Sequence, residues 1–259
     1  MKKIIIILLS LCLNLFAQSE IPELITDRPD QTESAAVVPL NCYQIETGIL
    51  YQHQKYDADG INFENQNVSL LSTLFRYGMN SSLELRLGGG FFSNLSRFNE
   101  SDNRVDGFGD LMIGAKYIVR KDKKILTNIG VLWENILPFG SLNFRPEKIE
   151  PKILLLLEQE INESLGVGIN VGGEYSSSEE KTFYDYTTTF GISLTNRLGG
   201  FVEFYGQTSK ESSPENHFDF GITYQHTQNI QLDLSLGSII QSGVQDYFIG
   251  FGFSIRFLN

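Results

Sequence analysis

The chain has 259 residues, 31 acidic against 20 basic side chains, 41% hydrophobic and 12% aromatic residues, and 24 glycines. Such an acidic balance excludes nucleic acid as a partner, because a polyanion would be repelled. Two cysteines and three histidines, widely spaced, supply no zinc-ligand pattern.

The first element is an export leader at 1–17: Lys2 and Lys3, an apolar run, then Phe16-Ala17 before Gln18. The apolar run is too short for a membrane-spanning helix, which needs about 20 apolar residues. Leu11 before Cys12 argues against lipidation, and cleavage after Ala17 leaves only Cys42, so no internal disulfide forms. The exported chain then carries 18 basic and 31 acidic residues, a balance of −13.

Residues 18–42 form a polar, proline-broken segment expected in the periplasm or the lumen. From 43 to 259 nearly every stretch alternates apolar and polar residues, and none shows helical spacing. Strands are expected near 43–55, 62–77, 82–92, 107–120, 125–138, 148–161, 164–176, 182–196, 200–209, 215–227, 229–241 and 245–258, twelve in all. In strand 62–77, Leu70-Leu71 and Arg76 do not share one alternation, which implies either a bulge or a register that the sequence leaves open.

Tight turns at 78–81, 121–124, 162–164, 197–199 and 227–229 alternate with longer connections at 57–62, 93–106, 140–147, 177–181 and 208–215. This is the rhythm of an all-β, transmembrane antiparallel β-barrel with short periplasmic turns and longer extracellular loops, in the outer membrane of a Gram-negative bacterium. A soluble β-sandwich also alternates, but it has no use for an aromatic outer face opposite a polar, glycine-rich inner one. The last strand, Tyr247 to Phe257, carries aromatic or branched residues at odd positions and resembles the terminal strand that barrel-assembly machinery recognises.

One parity gathers Ile49, Leu85, Tyr117, Trp133, Ile169, Phe190, Phe220 and Ile222, a belt for lipid and lipopolysaccharide. The other gathers Glu46, Glu84, Arg86, Asp110, Lys116, Glu134, Glu174, Asp185, Glu203, Asp219, Asp233 and Arg256, the candidate lumen lining. A charge on the lipid face near the midplane costs roughly 2–4 kcal/mol, so these side chains belong in a wet interior. Asp27, Arg28 and Asp30 precede the first strand and are candidates for a constriction at the periplasmic mouth, with Arg28 positioned to reach Glu46 or Glu84.

Catalysis is not expected. His53, His217 and His226 scatter over different strands and none belongs to a nucleophile motif. The oxygen-rich stretches 57–60 and 99–103 read as solvated loops rather than calcium sites, and Gly88-Gly89-Gly90 as strand rather than a phosphate cradle. No cofactor or metal is expected.

The run Ile25-Thr26-Asp27-Arg28-Pro29-Asp30-Gln31-Thr32-Glu33-Ser34, followed by Val38-Pro39 and Gln44-Ile45-Glu46-Thr47-Gly48, resembles the start of outer-membrane "transporter" barrels of the MetA-pathway of phenol degradation family. Leu74-Phe75-Arg76-Tyr77-Gly78 before Glu84-Leu85-Arg86, and Gly107-Phe108-Gly109-Asp110 before Gly114-Ala115-Lys116-Tyr117, extend the resemblance over most of the exported chain. It implies passage of small molecules, including hydrophobic or aromatic ones, and brings no catalytic residue. A passive channel is therefore the expected function; the competing reading is a closed structural barrel whose outer loops bind a surface partner. The leader assignment expects the outer-membrane form to begin at Gln18, which mass spectrometry of the isolated protein checks.

Overall fold

The computed structural model describes residues 22–58, 61–98, 101–121, 128–241 and 243–258. The leader expected at 1–17, most of the turn expected at 121–124, and Asp59, Gly60, Asn99 and Glu100 lie outside the described residues.

Alternating sequence dictates strands, and strands are what form: β1 (Tyr43–Ala58), β2 (Ile61–Gly78), β3 (Leu83–Phe98), β4 (Ser101–Phe108), β5 (Leu111–Lys121), β6 (Asn128–Leu137), β7 (Glu150–Asn162), β8 (Leu165–Ser176), β9 (Lys181–Ser193), β10 (Leu198–Thr208), β11 (Glu215–Thr227), β12 (Ile230–Ile239) and β13 (Val244–Phe257). Each pairs antiparallel with its neighbours, and β1 closes the sheet on β13 from Tyr43 opposite Phe257 to Tyr56 opposite Val244. Closure on β13 spares the membrane-spanning wall a free edge, and among the described residues β4 pairs on one side only, with β3. β4 pairs with the distal half of β3 and β5 with its proximal half. They are successive lengths of one stave, and the closed barrel has twelve staves.

The two faces separate by parity. On β13, Asp246, Phe248, Gly250, Gly252, Ser254 and Arg256 are buried, while Tyr247, Ile249, Phe251, Phe253 and Phe257 are exposed. The expected lipid belt follows the same rule, with Ile49, Leu85, Tyr117, Trp133, Ile169, Phe190, Phe220 and Ile222 all on the outside.

The bulge implied for the second strand lies between Leu70 and Thr73, where the pairing with β3 shifts and Leu71 takes φ of 52°. The extra residue changes the parity, so Arg76 turns inward and is buried, while Leu71 remains exposed. The longer connections expected at 57–62, 93–106 and 177–181 are not found, and at the first of them β1 and β2 stay paired up to Ala58 opposite Ile61. The connection expected at 93–106 is largely strand, because β3 runs on to Phe98 and β4 starts at Ser101 in a continuous ladder. Solvent on both faces imposes no apolar–polar alternation there, so composition hid the extension. The turn at Ser177–Glu180 is likewise tight.

A longer connection, 138–149 between β6 and β7, folds back onto the junction of β4 and β5. Ser141 donates its backbone N–H to Phe108 O and accepts the Phe108 N–H on its hydroxyl, and Gly140 N–H donates to Asp110 at 3.1 Å. Unpaired backbone at the Gly109-Asp110 break is satisfied in this way. Ile222→Arg, placing a charge on the lipid face, is expected to cost about 2–4 kcal/mol of stability in bilayers. Urea unfolding followed by loss of the heat-modifiable band measures it.

Candidate functional site: a segment folded across the lumen

Residues 22–42 do not hang free. They enter at the end of the barrel where β1 begins and β13 ends, cross the interior and return to β1. Arg256 on β13 anchors the entry, donating to the carbonyls of Pro22 (2.6 Å) and Glu23 (2.9 Å) and to Asn229 in the β11–β12 turn. The exit is fixed by Asn41 N–H on Gly78 O at 2.8 Å and Gly78 N–H on Cys42 O at 3.1 Å.

Asp27 holds the centre. Its carboxylate meets Lys116 Nζ of β5 at 2.7 Å, Arg86 of β3 at 2.9 Å and Arg76 of β2 at 3.1 Å. Its burial alone would raise its pKa, but the charges of Arg76, Lys116 and Arg86 outweigh that and hold it far below the usual carboxylate range. The cations are themselves shared: Arg76 also binds Glu46 (2.7 Å) and Glu84 (2.9 Å), and Arg86 binds Glu33 (2.7 Å) and Glu134 (3.0 Å). Ion pairs enclosed this way are orienting devices more than sources of net stability, yet removing one partner strands the others.

Arg28 crosses to the opposite wall. Its Nη2 lies 3.0 Å from Asp233 of β12, not against Glu46 or Glu84 as the sequence suggested. Those two glutamates are already taken by Arg76. The guanidinium lies over Gly48 and Gly252, which face each other across the β1–β13 pair. A Cβ on Gly48 would stand 2.6 Å from Nη2, so the slot requires glycine.

Beyond Arg28 the segment reaches β10, where Gln31 N–H donates to Glu203 at 2.6 Å and the Thr32 hydroxyl bonds the same carboxylate and Thr187 of β9. Asn170 of β8 both accepts from Glu33 N–H (2.7 Å) and donates to its carbonyl (3.1 Å). Ala35 packs on Leu132, Leu154 and Leu156, a dry patch on the inner wall. Val38 N–H closes the path on Glu84 at 2.8 Å.

Of the sequence-derived lining residues, Glu46, Glu84, Arg86, Lys116, Glu134, Glu203, Asp233 and Arg256 touch this segment or its cations. Glu174 and Asp185 instead share Lys152 at 3.0 and 3.3 Å, and Asp110 serves the 138–149 connection. Asp219 is buried with neither carboxylate oxygen hydrogen-bonded. Sequence reasoning passed over Glu33 and Lys152. Glu33 lies in the quoted amino-terminal motif, and Lys152 sits beside a strand-opening proline that obscures its parity. The inner leucines had a signal: Leu154 to Leu157 is apolar at both parities, the mark of a strand covered on both faces.

Two cavities flank the crossing. One of about 610 Å³, towards the distal end, is lined by Arg86, Gly88 to Gly90, Phe92, Met112, Ile136, Phe144 and Lys152, with Asp27, Arg28 and Glu33 forming its floor. Another of about 210 Å³ lies on the proximal side against Thr26, Asp30 and Ser34. No group of three His, Cys, Asp or Glu residues among the described residues is placed to hold a metal ion. His53 pairs with Glu64 and His217 with Glu215, well apart from each other.

A closed antiparallel barrel of twelve staves, apolar outside and charged inside, is an outer-membrane β-barrel of Gram-negative type. The chain belongs to the family described as "Putative MetA-pathway of phenol degradation", which matches residues 26–257. Comparison with curated protein sequences finds no match. Among solved structures, the fold is similar to an outer membrane channel from Pseudomonas putida F1 (TM-score 0.61, 14% identity, 86% of this chain and 98% of that one). It is also similar to the translocator domain of the autotransporter NalP from Neisseria meningitidis (0.58, 8%, 83% and 88%) and to the KdgM porin in complex with disordered oligogalacturonate (0.53, 11%, 82% and 99%). At these identities the likeness is one of fold.

Asp27→Ala leaves three enclosed cations without their shared anion and is expected to weaken docking of the segment by about 3–5 kcal/mol. Limited proteolysis and hydrogen exchange over 22–42 report this. Because the folded value of Asp27 is depressed, its contribution is complete above the ordinary carboxylate pKa and is lost only well below it. The wild-type segment should therefore stay protected at about pH 4.

Proposed function

We propose that the protein is a passive outer-membrane channel for small solutes, narrowed by residues 22–42, with no catalytic role. The observation that carries this reading is the crossing itself: one segment bonded to β1, β2, β3, β5, β8, β9, β10, β12 and β13, with cavities on both sides. Asp27, Arg28 and Asp30 are assigned to the constriction, at the periplasmic mouth because β1 begins and β13 ends on that side, where the connections expected to be tight turns lie. The family description supports small, partly apolar solutes such as aromatic compounds. So does the larger cavity, where Phe92, Met112, Ile136 and Phe144 stand opposite Arg86 and Lys152.

Glu46, Glu84, Asp110, Glu134, Glu174, Asp185, Glu203, Asp219 and Asp233 are assigned to the lining together with Arg86, Lys116 and Arg256. Adding Arg28, Arg76 and Lys152 still leaves an excess of acid, most of it paired. A weak preference for cations follows. The aromatic outer belt is assigned to lipid and lipopolysaccharide, and the terminal strand to the barrel-assembly machinery.

Deleting residues 26–37 is expected to raise single-channel conductance in planar bilayers while the barrel still inserts, and Arg28→Ala to raise it more mildly, since Asp27 still holds the centre. Reversal potentials under a salt gradient should show weak cation selectivity. Unchanged conductance in an inserted deletion variant would favour the closed, structural barrel.

A further inference from the structure

We propose that Asp30, Glu203 and Asp219 form a proton-sharing cluster that makes seating of residues 22–42 depend on pH, holding the segment in place near neutrality and releasing it in alkaline solution. The proposal rests on the reading of this segment as a constriction.

Glu203 on β10 and Asp219 on β11 are directly opposed in the strand ladder and share the inner face, 1% and 0% exposed. Glu203 is partly satisfied by Gln31 N–H and the Thr32 hydroxyl. Asp219 has no hydrogen-bond partner on either oxygen. Asp30 stands on the segment immediately before Gln31, whose N–H holds Glu203. Among the described residues none of the three forms an ion pair, in contrast to Asp27 and Asp233, each of which meets a cation.

Side chains opposed in a ladder have Cβ atoms about 4.5–5.5 Å apart, close enough for the carboxyl groups to share one proton. In an enclosed site of low polarity two such groups do not both ionise, and a third acid strengthens the effect. Burial first, and then the charge of Glu203, pushes the Asp30 carboxyl well above its ordinary range. Asp30 also borders the proximal cavity, which gives the cluster a route to exchange protons with the solution.

The surrounding charges are committed elsewhere. On the segment, Arg28 is held by Asp233; on β9, Asp185 is held by Lys152; on β13, Asp246 accepts from Gln52. Tyr205 of β10 and His217 of β11 stack on each other, with ring centres 4.9 Å apart.

The sign follows from proton linkage. The seated state retains protons that the undocked, water-filled state gives up, so seating is favoured at lower pH and lost as pH rises through the raised value. This is opposite to Asp27, whose anchor fails only in strong acid.

The test is single-channel conductance of the intact, heat-modifiable barrel. Wild type is expected to rise roughly twofold or more between about pH 6 and about pH 9.5. Asp219→Asn, and independently Glu203→Gln, remove one like charge and supply an amide donor, so the rise should move to higher pH or vanish. The variant lacking residues 26–37 should conduct more at every pH, without the step. If that variant conducts more but wild type shows no rise, or if both substituted forms titrate like wild type, the cluster has no such role and the constriction stands. If the deletion changes nothing, the constriction falls and this proposal with it.

Discussion

The carboxylate of Asp27, shared by Lys116, Arg86 and Arg76, is the interaction on which the interior depends. Three cations from neighbouring staves project into one enclosed space, and their mutual repulsion has to be answered inside the barrel because the wall is apolar on its other side. Glu46, Glu84 and Glu134 answer part of it from the wall, and Glu33 and Asp27 from the segment. Barrel and segment therefore complete one network. Neither half is balanced without the other.

Docking is distributed around the circumference. Beside the ionic centre, on the adjoining β6 and β7, Ala35 sits on Leu132, Leu154 and Leu156, so the segment has an apolar foothold as well as a charged one. Arg28 extends across to Asp233 through a slot that exists only because Gly48 and Gly252 face each other. At β10 and β11 the balance changes, since acids meet acids there and backbone N–H and hydroxyl donors stand where cations stand elsewhere. A segment held by contacts of such different character can be loosened at one end while staying fixed at the other.

The same inward parity that admits charge admits glycine and aromatic groups, and their placement shapes the free space. Gly88, Gly89 and Gly90 thin the wall beside the larger cavity, while Phe144 from the 138–149 connection and Phe92 from β3 stack loosely within it, ring centres 5.9 Å apart. The connection is held by the backbone of the β4–β5 break. A defect in one stave thus becomes the seat of a loop that lines the lumen.

Much of this architecture was legible in the sequence. Period-two alternation separated a lipid face from a polar face because lipid and water select side chains strongly, and each strand records that selection within its own residues. Twelve staves follow from local pattern alone, as does the parity that sets Glu46, Glu84, Arg86, Lys116, Glu203, Asp219 and Asp233 apart from the apolar belt, whereas the register around Arg76 was left open until the ladder placed the bulge. Pairings among inward side chains do not. Which stave stands opposite which, and at what height, is set by closure of the ladder, so Arg28 could be assigned to a luminal acid but not to Asp233, and Glu33 could not be seen as a ligand of Arg86 at all. Extension of β3 and β4 past the membrane belt escaped notice because solvent on both faces imposes no alternation. The course of residues 22–42 belongs to the tertiary structure for a related reason: a proline-broken polar segment has no periodic signal, and its path is decided by the charges and glycines that the closed barrel presents to it.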